Sequence, residues 1–188
     1  MLIFNDTDTV FDTDTAVALG AFDGVHLGHR AVISEAVRLA KEDGLLPAVF
    51  TFRDLPKSAL LPESARTIPL SDFEERSGLI AALGVEALVA PDFASVRDME
   101  AEDFAKTVLF GSLSARRVVC GEDYRFGARG AGDAALLKEL CEKNGAELTV
   151  VPPVMHNGKK ISSTLIRSLL KEGRTAEAEM LLGRQLNI

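Results

Sequence analysis

The sequence has few cysteines, no tryptophan and no long apolar run. Cys120 and Cys141 show no spacing typical of a metal site or of a disulfide framework, so we predict that both are reduced residues of the core. No run approaches the roughly 20 apolar residues that a membrane helix needs. The acidic segment from Met1 to Thr15 lacks the basic start and apolar stretch of a secretory signal. We therefore expect a cytoplasmic protein that does not enter a membrane.

Basic residues are also in short supply. Lys and Arg total 21 against 28 Asp and Glu, which gives a formal net charge of -7. Binding along a nucleic-acid backbone needs a basic face, so we expect no nucleic-acid partner, whereas a small basic pocket is compatible with this charge. A length of 188 residues with 47% hydrophobic residues suits one core, and no internal repeat interrupts it. Residues 1–188 are therefore predicted to form a single domain.

Short apolar runs alternate with longer segments of helical period, which is typical of strands joined by crossover helices. The predicted strands cover residues 16–20, 47–52, 85–90, 115–120 and 147–151. The predicted helices cover residues 27–42, 71–83, 101–110, 133–144, 163–171 and 175–182. Ser71 and Glu74 are predicted to form a capping box for the second helix. Residues 53–69 are predicted to form a long connection before that helix. The pattern predicts an α/β protein with a doubly wound (Rossmann-like), five-stranded parallel sheet, which binds ligands at the carboxyl ends of its strands.

The first unusual segment, G-A-F-D-G-V-H-L-G-H at residues 20–29, leads from the first strand into the first helix. Its glycines permit tight turns, and the helix start offers unpaired N–H groups that suit phosphate. His26 and His29 are three residues apart and share one helix face. The segment is neither a Walker A loop nor a G-x-G-x-x-G fingerprint, and it lacks the ligand spacing of a zinc site. The residues that we assign to this candidate phosphate site are Gly20, Phe22, Asp23, Gly24, His26, Gly28 and His29.

Two further segments fall near strand ends. The string G-E-D-Y-R-F-G follows the fourth strand and alone is a weak sign of a site. Near the end of the chain stands I-S-S-T-L-I-R, where Ser162, Ser163 and Thr164 open a helix. These hydroxyls could be ordinary N-caps, but Arg167 lies one turn beyond Thr164, so hydroxyls and guanidinium can converge on one phosphate.

These strings carry a resemblance to a known family. H-x-G-H at a strand–helix turn resembles the nucleotidyltransferase superfamily that includes class I aminoacyl-tRNA synthetases. The longer G-x-F-D-G-V-H-L-G-H, with G-x-D-[FY]-x-F-G and I-S-S-T-x-[IV]-R, is similar more narrowly to the adenylyltransferase module of bifunctional bacterial riboflavin kinase/FAD synthetases. The resemblance to this module extends over about residues 16–184. The resemblance implies the H-x-G-H nucleotidyltransferase type of sheet and transfer of AMP from ATP to FMN, which yields FAD and pyrophosphate, with Mg²⁺ accompanying ATP.

The resemblance also implies roles for residues. His26 and His29 would contact the ATP phosphates and stabilise the charge that develops as pyrophosphate leaves, and we expect Arg167 to act with them. The other residues of the first segment, with Ser162, Ser163 and Thr164, would bind ATP. The implied flavin and nucleotide pocket consists of Asp54, Gly121, Asp123, Tyr124, Phe126 and Gly127. No residue is assigned to a metal.

The sequence departs from the family in two places. Where the family has T-F-[DN]-P-[HN]-P, this chain has T-F-R-D-L-P, so Leu55 replaces a polar side chain that assists metal and phosphate binding, and Arg53 adds a positive charge. The chain also ends at Ile188, without the riboflavin kinase domain, so we expect no riboflavin phosphorylation. Two alternatives stay open: nucleotidyl transfer to another small phosphate, such as a pantetheine phosphate or nicotinamide mononucleotide, and a flavin- or nucleotide-binding homologue with reduced or lost catalysis.

Overall fold

The computed structural model describes residues 1–55 and 68–186. Its main sheet has six strands: β1 Leu2–Phe4, β2 Thr15–Leu19, β3 Leu46–Phe50, β4 Ala87–Val89, β5 Ala115–Gly121 and β6 Glu147–Val151. The strand order is β1-β4-β3-β2-β5-β6, and every pair is parallel. The order of the strands reverses between β2 and β5. In doubly wound sheets such a reversal opens a crevice outside the carboxyl ends of the two strands, where ligands bind.

Helices cover both faces of this sheet. They are α1 Leu27–Asp43, α2 Phe73–Ala81, α3 Phe93–Val96, α4 Ala101–Asp103, α5 Ala134–Lys143, α6 Ser163–Lys171 and α7 Thr175–Leu182, and α4 continues into a π-helix over Phe104–Ser112. Val17 packs in one apolar cluster with Leu109 of the π-helix, whereas its neighbour Ala18 packs in another with Ile33 of α1. Successive residues of a strand point to opposite faces. The predicted doubly wound parallel sheet is therefore confirmed.

The prediction of five strands is wrong by one. β1 was missed because it has only three residues, lies at the edge of the sheet and leaves Leu2 and Ile3 exposed, so it shows neither a continuous apolar run nor clean alternation. A short antiparallel hairpin, β7 Met155–His156 and β8 Lys159–Lys160, was also missed. Asn157 and Gly158 at its turn both have positive φ, the conformation for which Asn-Gly is the preferred turn pair.

The predicted capping box of α2 is also wrong. Asp72 is the N-cap, and its carboxylate accepts a hydrogen bond from the backbone N–H of Glu75 at 2.8 Å. Ser71 is buried instead, and its hydroxyl oxygen accepts from the N–H of Gly24 at 3.0 Å. Both residues are good caps, and the contact of Ser71 with the segment after β2 decides between them. Most of the predicted 53–69 connection lies outside the described residues.

The remaining predicted elements are present, with ends within a few residues of those expected. Cys120 and Cys141 are buried and unpaired, as predicted for core residues. Within the described ranges, none of the helices combines the length and apolar character that crossing a membrane requires.

Candidate active site

The glycine-rich turn (residues 20–29) follows the carboxyl end of β2, beside the point where the strand order reverses. Phe22, Gly24 and Val25 have φ values of 50°, 80° and 43°. Left-handed backbone is unfavourable for a β-branched residue such as Val25, so the surrounding structure must impose it. At Gly24 a Cβ atom would lie 2.8 Å from the Cβ of Leu70, so no larger residue fits. This compact turn delivers His26 to the start of α1.

The two histidines of the turn are stacked on each other. His26 is the N-cap of α1, and its Nδ1 accepts a hydrogen bond from the backbone N–H of His29 at 3.2 Å. The two rings lie nearly parallel, with centroids 3.6 Å apart, and Phe22 packs edge-on against His29. His29 is half-buried, but its Nδ1 is fully buried and has no hydrogen-bond partner. In both rings Nε2 is therefore the atom that can meet a ligand.

Burial keeps both histidines neutral. It lowers the pKa of His26 to about 4, and the charge of Lys160 acts in the same direction. The pKa of His29 lies well below its ordinary value because of burial first, and then because of the charges of His26, Arg76 and Lys160. A neutral imidazole with its proton on Nε2 donates one hydrogen bond. At pH 7 the histidines are thus hydrogen-bond donors to a ligand and not standing cations.

Arg167 and Asp23, both predicted at the phosphate site, are paired with each other. The buried carboxylate of Asp23 accepts from the guanidinium of Arg167 and from the backbone N–H of Leu70, the latter at 2.8 Å. Arg167 also donates to the carbonyl of Ile68 at 2.9 Å. The side chain of Arg167 therefore joins α6 to the glycine-rich turn and to the segment before α2, and its charge is balanced by Asp23.

The start of α6 lies against the glycine-rich turn. The hydroxyl oxygen of Ser162 caps α6 by accepting from the N–H of Leu165 at 3.2 Å, and Ser163 donates to the carbonyl of Asp23 at 3.1 Å. Thr164 is exposed. A Cβ at Gly28 would lie 3.5 Å from the carbonyl oxygen of Ile161, so the starts of α1 and α6 are neighbours. Their unpaired N–H groups create a positive potential that suits phosphate.

Lys160 connects this site to the β5 loop (residues 121–132). Its ammonium forms an ion pair with Asp123 at 2.8 Å, and its charge contributes to the low pKa of both His26 and His29. Sequence reasoning missed this lysine, although it immediately precedes the predicted I-S-S-T string. The glycine-rich turn, the start of α6 and the β5 loop are thus neighbours near the carboxyl ends of β2 and β5.

A continuous series of aromatic rings runs from the β5 loop to the end of β3. We call these residues the aromatic row: Tyr124, Phe126, Phe104, Phe50, Phe52 and Phe93. Neighbouring centroids lie 5.2 to 6.0 Å apart. Tyr124, Phe52 and Phe93 are half-buried, and the others are buried. Gly127, which follows Phe126, packs directly against Ala101: a Cβ at this position would lie 2.7 Å from the backbone nitrogen of Ala101, so no larger residue fits.

The end of β3 does not place Arg53 among the phosphate-site residues. Its guanidinium donates to the side chain of Asn5 at 2.8 Å and lies 4.8 Å from the centroid of Phe73. Asp54 is exposed, and Leu55 is half-buried. Sequence reasoning also missed Arg76, a buried residue of α2 that donates to backbone carbonyls at this end of the sheet. Among residues 1–55 and 68–186 no group of three or more His, Cys, Asp or Glu side chains is arranged to hold a metal ion.

Known proteins share this sequence and fold. A family model described as FAD synthetase matches residues 8–165. A bifunctional riboflavin kinase/FMN adenylyltransferase of Listeria monocytogenes is 35% identical over 178 residues, which cover 94% of this chain and 56% of the relative. An FAD synthetase of the same organism is 34% identical over 92% of this chain and 70% of the relative. A crystal structure described as a macrolide-efflux protein from Streptococcus pneumoniae has a TM-score of 0.87 and 32% identity, covering 98% of this chain and 60% of that one.

The chain spans little more than half the length of the bifunctional relative, 56%. The family match nevertheless includes the glycine-rich turn, the β5 loop and the beginning of α6. This protein therefore belongs to the FAD synthetase family.

Proposed function

We propose that this protein transfers AMP from ATP to FMN and releases pyrophosphate. The observation that carries the proposal is the meeting of three segments at one crevice: the stacked histidines, the start of α6 and the β5 loop with its aromatic row. One half of this crevice offers hydrogen-bond donors and positive charge, and the other offers aromatic surface. A triphosphate and a flavin need these two environments side by side.

The ATP triphosphate would bind between the starts of α1 and α6. Because they lack side chains, Gly20, Gly24 and Gly28 would let the phosphates approach the backbone closely. The free N–H groups of the helix starts would face the phosphates, and Lys160 would supply positive charge. An oxygen of the FMN phosphate then attacks the α-phosphorus in line. The new P–O bond forms while the bond from the α-phosphorus to the bridging oxygen breaks, and the electron pair leaves with pyrophosphate. No general base is needed, because a phosphate monoester is already anionic at neutral pH.

His26 and His29 would assist the leaving group. Each can donate a hydrogen bond from Nε2, and a bound anion favours the protonated imidazole, which raises its pKa. Charge accumulates on the bridging oxygen and on pyrophosphate during the reaction, so donors fixed in a buried turn act mainly on the transition state. Ser163, Thr164 and Arg167 would bind phosphate beside them, with Arg167 sharing its donors between Asp23 and phosphate.

The flavin would lie against the aromatic row. Its isoalloxazine ring is planar and aromatic, and Tyr124, Phe52 and Phe93 are the members of the row that are only half-buried. Offset or edge-on contacts with such rings contribute about 0.5–1.5 kcal/mol each beyond simple burial. Gly121, Asp123, Phe126 and Gly127 would shape the pocket between this surface and the phosphates. The exposed Asp54 would lie at its edge.

Mg²⁺ would be held mainly by the ATP phosphates and by water, as this ion usually is in phosphate chemistry. The exposed Asp54 offers one hard oxygen ligand near the end of β3. The family's polar residue at position 55 is here Leu55, which offers none. Since ATP and FMN are intracellular metabolites, we propose that the protein acts in the cytoplasm.

A comparison of acceptors tests this proposal. The purified chain is incubated with ATP, Mg²⁺ and, separately, FMN, phosphopantetheine or nicotinamide mononucleotide, and pyrophosphate and the adenylylated product are measured together. We expect equal amounts of pyrophosphate and FAD with FMN, and neither product with the other two. Turnover only with another acceptor would identify a different nucleotidyltransferase. Saturable binding of FMN and ATP without product would identify a binding protein that has lost catalysis.

A further inference from the structure

Arg76 is a buried cation that belongs to no ion pair among the described residues. It lies on α2 and is 2% exposed, yet no carboxylate oxygen of the described residues lies within the 4.0 Å of a salt bridge. Asp23, Asp54 and Asp72 influence it only from a greater distance. Burial lowers its pKa, although a guanidinium remains protonated in proteins. Burying an unpaired charge is costly, so its position calls for an explanation beyond packing.

The guanidinium of Arg76 bridges two strand ends. One nitrogen donates to the carbonyl of Ala21 at 3.4 Å, and the other donates to the carbonyls of Phe52 and Arg53 at 2.7 and 2.9 Å. Ala21 belongs to the glycine-rich turn, where the triphosphate would bind. Phe52 belongs to the aromatic row, where the flavin would bind. The rigid, planar guanidinium, whose N–H donors form a fork, therefore joins the two halves of the site. An apolar side chain could not do so.

The charge of Arg76 also acts on the glycine-rich turn. Its Nε is buried without a partner, and its charge is one of the influences that disfavour protonation of His29. Three carbonyls satisfy part of the guanidinium but do not neutralise it. The negative charge of a substrate phosphate near the turn would therefore offset part of the cost of burying this cation.

We infer that Arg76 is a positioning residue for AMP transfer: its guanidinium holds the glycine-rich turn and the end of β3 at a fixed separation, so that the α-phosphorus and the FMN phosphate meet in line. This inference rests on the proposed function. Bound substrates are misaligned when the fork is removed, while most contacts that bind ATP remain. A misplacement of 1 Å between reacting groups can cost about 10²-fold in rate.

Two substitutions and one control test the inference. Arg76→Met removes the charge and the fork, Arg76→Lys keeps the charge without the fork, and Arg38→Met removes an exposed arginine whose partners, Glu35 and Glu42, lie on the same helix. Turnover and the KM values for ATP and FMN are measured on the full chain, with urea unfolding used to establish the folded fraction. We expect Arg76→Met to lower kcat about 10²-fold and Arg76→Lys about 10-fold, each with the KM for ATP within about threefold of wild type. Arg38→Met should match wild type.

Each other outcome has a defined meaning. If folded Arg76→Met turns over like wild type, or only its KM for ATP rises, the inference is wrong. If Arg76→Met does not fold, Arg76→Lys decides alone: a lower kcat with unchanged KM supports the inference, and wild-type turnover overturns it. An inactive wild-type chain would overturn the proposed function, and this inference with it. A loss confined to the Arg76 variants cannot be confused with that result.

Discussion

The imidazole rings of His26 and His29 stack with their centroids 3.6 Å apart at the start of α1. Both rings stay neutral chiefly because they are buried, and the nearby His26 further disfavours protonation of His29. In each ring Nε2 is the donor that remains for a ligand, since one Nδ1 caps the helix and the other is buried. The pair is thus prepared to receive negative charge from a substrate.

His29 should matter for turnover more than for binding. We expect His29→Gln to lower kcat about 10²-fold with little change in the KM for ATP, because its hydrogen bond strengthens as charge moves onto pyrophosphate. The matched control is His156→Gln, in the β7–β8 hairpin. Steady-state pyrophosphate release measures both variants. A raised KM with unchanged kcat would show that His29 binds ground state and transition state equally.

The low pKa of His26 makes stability depend on pH. In the unfolded chain its ordinary pKa is 6.5, against about 4 in the folded protein, so the unfolded state binds more protons between these values. Its contribution to stability is complete above pH 6.5 and is lost as the pH falls toward 4. For this one group the loss between pH 7.5 and pH 5 is about 2 kcal/mol.

Urea unfolding at these two pH values checks the estimate. His26→Asn removes the titrating ring but keeps a side-chain acceptor that can cap α1. We expect the stability difference between pH 7.5 and pH 5 to be smaller in His26→Asn than in wild type by about 2 kcal/mol. His156→Asn serves as the control and should retain the wild-type dependence. Equal pH dependence in all three proteins would show that His26 is not buried in its neutral form.

The ion pair of Asp23 and Arg167 should stabilise the glycine-rich turn. Asp23→Asn keeps an acceptor for the N–H of Leu70 but removes the charge that faces Arg167. Because the side chain of Arg167 is 20% exposed, water compensates in part, and we expect a loss of about 1–3 kcal/mol in the free energy of unfolding. The same change at Asp98, whose pair with Arg97 is exposed, should cost less than the change at Asp23, because solvent screens an exposed pair. Denaturant titrations that show equal losses would refute the structural role of Asp23.

Lys160 should contribute to ATP binding. We expect Lys160→Met to raise the KM for ATP about tenfold and to weaken its dependence on salt, because an ammonium near the phosphates is lost. Lys159→Met, one residue earlier on β8 and exposed, is the matched control. KM values at low and high ionic strength distinguish the two variants. An unchanged KM for ATP in Lys160→Met would show that this lysine does not contribute to ATP binding and only pairs with Asp123.

The sequence was sufficient to locate the glycine-rich turn, with the strand and the helix that it connects. The glycine-rich turn connects a buried strand directly to a helix, so His26 and His29 could be placed together before the structure was known. Their protonation state could not be predicted from the sequence, because it depends on burial by residues from other segments. The pairing of Lys160 with Asp123 joins positions far apart in the chain and likewise follows only from the fold.

Arg76 shows where a signal was present but weak. It lies three residues after Phe73 and four before Ile80, on the apolar side of α2, where a charged residue is unexpected. An arginine there usually extends its stem toward water, and only the position of the two strand ends shows that this one turns inward. β1 left no comparable signal, since half-exposed strands of three residues resemble loops in sequence.

The transfer of AMP is tested most directly by following the phosphates of ATP. The wild-type chain is incubated with FMN, Mg²⁺ and ATP that is labelled either at the α- or at the γ-phosphate, and the products are separated. The account predicts that the α-label appears in FAD and the γ-label in pyrophosphate, in equal amounts and only when FMN is present. Release of the α-label as free AMP, or of the γ-label as inorganic phosphate, with no labelled FAD would contradict it.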